Sequence, residues 1–76
     1  MRKQITKVRV EVTHYPDDGI WVAVCDEIGL TSEAESYDEL VFRASVVIPE
    51  LIADNGLSVS SEGCAIEFVQ KQVVVG

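Results

Sequence analysis

Seventy-six residues carrying 13 acidic and 6 basic side chains, net charge −7, make one domain. Their acidity argues against a nucleic-acid-binding surface, where neutralising phosphates supplies most of the affinity. Two cysteines and one histidine exclude a disulfide framework and a zinc-finger cluster, and no apolar run approaches the roughly 18 residues of a membrane span.

The N-terminal stretch alternates charged and apolar residues and lacks the apolar segment of a secretion signal, so a cytoplasmic protein with reduced thiols is expected. No cofactor, metal or membrane association is expected. A chain of this length buries only about 60% of its unfolded surface, a marginal core that usually gains stability from disulfides, metals or association. With the first two excluded, association is the remaining route. The charges are unevenly spread: Arg2, Lys3, Lys7 and Arg9 supply four of the six bases, whereas Val10 to Phe42 holds nine acids and no lysine or arginine. Such a surface suits a basic partner.

In chain order, Val8, Val10 and Val12 alternate with Lys7, Arg9 and Glu11, the period of a half-buried strand. Pro16 and Gly19 punctuate a hairpin turn after Tyr15. The next strand, Ile20–Cys25, is apolar at all six positions and calls for cover on both faces. Asp26–Gly29 reads as a loop and Leu30–Ala34 as a short third strand.

Ser36 with Glu39 three residues on has the form of a capping box, and Asn55-Gly56 is a common helix exit, so a helix is expected from Tyr37 to Asp54. Pro49 falls inside it and removes one hydrogen bond to the Ser45 carbonyl. Leu57–Gly63 reads as a polar, serine-rich loop, and Cys64–Lys71 as the last strand, with Val73–Val75 available to extend it.

At 100° per residue, Leu40, Ala44, Val47, Ile48 and Leu51, widened by Val41 and Ile52, form the stripe that packs on the sheet. Phe42, Val46, Pro49 and Ala53 form a second line nearly opposite, flanked by Glu39, Arg43, Glu50 and Asp54. An ordinary surface helix has one apolar stripe. Together with Trp21, an anchor residue of the kind that dominates protein contacts, this second line is the expected partner or dimer interface. Asp26, Glu27, Glu33 and Glu35 are the expected acidic, partner-facing surface.

The stretch from Pro16 through Gly19-Ile-Trp-Val-Ala23 and Gly29-Leu-Thr-Ser-Glu-Ala34 to Leu40 resembles the HicB antitoxin domain. It is more similar still to a related small bacterial family of unknown function, which shares the Ile-Pro-Glu-Leu of residues 48–51 and the later Asn55. The resemblance runs over about residues 5 to 70 and implies an α+β fold of order β-β-β-α-β, partly like RNase H. Three antiparallel strands would be joined by a fourth parallel to the first, with one helix on one face. It also implies a homodimer, or a higher homo-oligomer, that neutralises a small, basic, RNA-cleaving toxin. HicB antitoxins continue into a DNA-binding module, whereas this sequence ends at Gly76, so operator binding is not expected.

Two other readings stand beside this one. The first is a stand-alone structural or regulatory subunit without a toxin. The second, a metal-dependent nuclease, would need Glu11, Glu67 and Glu39 or Glu50 to converge on a cation. His14, beside Tyr15 at a turn, could serve as a general base only if a nucleophile converged on it and reads instead as solvent-exposed, and Cys25 at the end of an apolar strand reads as a small core residue. No catalytic or metal-ligating set emerges, and a non-enzyme is expected.

Overall fold

A computed structural model describes residues 3–71. In chain order these form β1 (Lys3–Ile5), β2 (Lys7–Tyr15), β3 (Ile20–Cys25), a 3-10 turn (Asp26–Ile28), β4 (Leu30–Ala34), α1 (Tyr37–Asp54), β5 (Leu57–Val59) and β6 (Ala65–Lys71). The expected extension at Val73–Val75 lies outside the described residues.

The alternation along β2 gives it one dry face, with Val8, Val10 and Val12 almost wholly buried while Lys7, Arg9 and Glu11 are exposed. β3 pairs antiparallel with β2 through Val12↔Ala23 and Glu11↔Val24, and β4 pairs antiparallel with β3 through Ala23↔Ser32. β6 returns parallel beside β2 in the register Val8↔Ile66 and Glu11↔Val69, completing a sheet of order β4-β3-β2-β6. This is the expected α+β architecture: three antiparallel strands, a fourth parallel to the main first strand, and one helix. The return through α1 is the crossover that a parallel neighbour requires.

The inner face of the sheet presents Val8, Val10, Val12, Ala23, Cys25, Leu30 and Ala34, and against them α1 buries Leu40, Ala44, Ile48 and Ile52. The outer face carries Ile20, Val22 and Val24 of β3 among Thr13, Tyr15, Glu33 and Glu11. No helix covers that side among the described residues. All three are nonetheless half-buried. The all-apolar strand is therefore covered by a helix on one face only among the described residues.

α1 begins where the capping pattern places it. The Glu39 backbone N–H donates to Ser36 Oγ at 3.2 Å, while the Glu39 carboxylate, instead of closing the reciprocal half of the box, pairs with Arg43 one turn on. At the other end Gly56, with φ 71°, takes the left-handed conformation that turns the chain out of the helix.

Two segments expected to be loops carry structure. Leu57–Val59 is a short strand, β5, paired parallel with β1 from Lys3↔Leu57 to Ile5↔Val59. Ile5 is buried and Leu57 packs on the core, so this second, two-stranded sheet closes the core beside α1. Asp26–Ile28 forms a turn of 3-10 helix that drives Ile28 fully into the core.

Asn55 locks that turn to the end of the helix: its Nδ2 donates to the Ile28 carbonyl at 3.0 Å and to the Leu51 carbonyl at 2.7 Å. Removing it strands the partly buried Ile28 carbonyl, whereas the Leu51 carbonyl keeps the Asn55 backbone N–H at 3.0 Å. Asn55→Ala is therefore expected to cost about 1–3 kcal/mol, read as a lower denaturant midpoint at unchanged slope.

Candidate functional site

The outer face of α1 is where apolar surface escapes the core. Phe42 is 70% exposed and Val46 56%, and Pro49 and Ala53 continue the line in the open. The spacing that keeps Leu40, Ala44, Ile48 and Ile52 dry places these four side chains on the opposite side of the helix. Side chains three and four residues apart are neighbours on a helix, so Phe42 lies beside both Glu39 and Val46.

An acidic rim adjoins the ridge. Arg43 binds the Glu39 carboxylate at 2.6 Å and donates through Nη1 to the Glu33 carbonyl of β4 at 3.2 Å. This arginine fastens the helix to the edge of the sheet and spends its charge within the chain. Ile20, Glu33, Ala34, Glu35, Glu39 and Arg43 line a shallow, open depression of about 360 Å³ at this junction. Three carboxylates thus share it with one cation that is already paired. Glu50 and Asp54 flank the far end of the ridge.

The four acidic residues singled out from the sequence do not form one surface. Glu33 and Glu35 belong to the rim just described, at one end of β4. Asp26 and Glu27 stand on the 3-10 turn before the other end of β4, and with Arg9, Glu11, Val24 and Cys25 they line a separate depression of about 240 Å³.

Trp21 lies apart from the ridge as well. It is half-buried on the inner, helix-bearing face, stacked on His14 with ring centroids 4.0 Å apart and 9° between planes, and meets the edge of Tyr37 at 5.5 Å. These contacts make Trp21 a bridge between β2, β3 and the start of α1. The arginine that joins helix to sheet edge has no signature in the sequence, because Arg43 and Glu33 are brought together only by the fold.

The carboxylates of the nuclease reading are divided by the sheet. Glu11 and Glu67 project from the outer face, where Glu67 lies 3.4 Å from Lys7 and opposite Arg9 in the register, whereas Glu39 and Glu50 ride on the helix over the inner face. Among the described residues no three histidine, cysteine or acidic side chains come together to hold a metal ion. Cys25 is buried in the core and Cys64 is half-buried beside β6. No described helix is long and apolar enough to cross a membrane.

The model of the family described as a domain of unknown function, DUF1902, matches residues 7–74, from the start of β2 past the end of β6. Among solved structures the chain is similar to the hypothetical protein TTHA1013 of the extremely thermophilic bacterium Thermus thermophilus. The two are 28% identical with a TM-score of 0.70, over 92% of this chain and 99% of that one. No curated protein matches the chain.

Proposed function

The chain belongs to the DUF1902 family of domains of unknown function, and we propose that it is a self-associating, cytoplasmic protein-binding module whose partner is a small basic protein. One observation carries this reading: an apolar ridge led by Phe42, 70% exposed, beside an acidic rim whose one arginine is already paired. An exposed aromatic with aliphatic neighbours supplies the desolvated centre of a protein contact, and the carboxylates around it steer and select a cationic partner. The resemblance to HicB antitoxin domains gives that partner a class, a basic ribonuclease toxin that the module would block by occupying its surface.

The test is co-expression with the product of a small, basic reading frame adjoining the gene. The expected result is a complex that survives purification, relief of growth arrest and of RNA cleavage, and loss of both effects with Phe42→Asp. Phe42 is too exposed for that change to disturb folding. A basic neighbour whose toxicity is unaffected by the chain, or a complex indifferent to Phe42→Asp, overturns the assignment.

A further inference from the structure

The two edges of the main sheet are finished differently. β4, at one edge, is five residues long, and Arg43 occupies its Glu33 carbonyl. β6, at the other, is seven residues long and pairs with β2 without interruption from Ala65 to Lys71. Among the described residues no strand pairs with its far side. It contains no proline and no bulge, two of the devices that protect a bare edge. α1 packs over β3, β4 and β5, so Ile66 and Phe68 on the inner face of β6 touch the core yet stay half-buried.

We propose that β6 is the self-association edge, pairing antiparallel with β6 of a second copy about a two-fold axis at Val69. The side-chain charges choose this register. On the outer face Ala65, Glu67, Val69 and Lys71 follow one another. With Val69 on the axis, Glu67 of each copy stands opposite Lys71 of the other, giving two identical ion pairs around a Val69–Val69 contact. A two-fold axis at Glu67 or at Lys71 would set like charges face to face, which is destabilising. An axis at Phe68 or Gln70 would leave both charges facing uncharged residues.

In the chosen register Glu67 lies between its own Lys7, at 3.4 Å, and the incoming lysine. On the inner face Phe68 stands opposite Gln70, with the two Phe68 rings diagonal to one another across the axis. The product is a continuous eight-stranded sheet with both helices on one side, closed by symmetry. The Phe42 ridge and its acidic rim stay free at the two outer ends. Self-association and partner capture therefore use opposite edges of the domain, and this inference rests on the self-associating half of the proposed function.

Charge reversal tests it, because Glu67 and Lys71 are both exposed and either can be replaced without touching the core. Sedimentation equilibrium over a wide concentration range is expected to show a monomer–dimer equilibrium for the unaltered chain. Glu67→Lys and Lys71→Glu are each expected to weaken it about tenfold or more, since each change turns two attractions into repulsions. The double variant restores the two cross-copy pairs in reversed sense and should recover much of the loss, short of the original because residue 67 then repels its own Lys7 and Arg9. A dimer indifferent to the single changes, or single losses that the double variant does not repair, overturns the β6 edge and leaves self-association standing. A monomer at every concentration overturns both.

Discussion

Ile48→Ala is expected to lower the stability of the domain by about 2–5 kcal/mol, the range for emptying a fully packed aliphatic site. Ile48 is wholly buried in the middle of the helical stripe, between Ala44 and Ile52 in the pattern that meets the inner face of the sheet. Its removal costs both the transfer of its methyl and methylene groups and the void they leave. The same core holds Ala23, Ala34 and Ala44, too small to fill a void, and Val10, Val12 and Leu30, whose backbones are held in the sheet. A domain of this size has a stability on the order of 5–10 kcal/mol, so the variant forfeits about a fifth of it or more.

The melting temperature is expected to fall by about 10–30 °C, measured by circular dichroism at 222 nm. Val22→Ala provides the contrast. Val22 is half-buried on the outer face, and its truncation should cost well under half as much. Equal losses at the two sites would show that the outer face of the sheet is as fully covered in solution as the helix-bearing one.

The elements that can be read from the sequence are those in which local and tertiary preferences agree. The period-2 pattern of β2, the serine that caps α1 and the Asn55-Gly56 exit each describe one element's own chemistry, and each stands where the pattern places it. β5 is hidden because three residues carry no readable period, and its partner β1 is equally short; their pairing exists only once the helix has brought residue 57 beside residue 3. Ile28 is hidden for the opposite reason. It sits in a run of turn-forming residues, and only the position of α1 above it makes that turn part of the core.

The site divides in the same way. The Phe42, Val46, Pro49 and Ala53 line follows from helix geometry alone, so it is visible in the sequence, and its exposure agrees. Which face of β3 meets the helix does not follow, because all six of its residues are apolar and alternation gives no sign. Nothing in that strand's pattern separates Trp21 from the ridge, whereas the fold puts it on the inner face against His14 and Tyr37.

Pro49→Ala is expected to stabilise the domain by about 1–3 kcal/mol. A proline inside a helix forfeits one backbone hydrogen bond and disfavours the helical conformation of the residue before it, at up to about 3 kcal/mol relative to alanine. α1 nevertheless runs unbroken from Tyr37 to Asp54 through Pro49. Ser45 and Pro49 both lie on the exposed side, where water can reach the Ser45 carbonyl, and this keeps the expected gain below the full penalty.

The melting temperature of the alanine variant should rise by about 5–15 °C in calorimetry. The same change removes a rigid apolar ring from the middle of the Phe42 ridge, so binding of the proposed basic partner should weaken several-fold while the protein becomes more stable. That opposition separates a residue kept for contact from one kept for folding, since a position that serves the fold alone does not trade one against the other. A variant that is more stable and binds equally well would place the contact elsewhere on the surface. One that is no more stable would mean the helix bears no strain at Pro49.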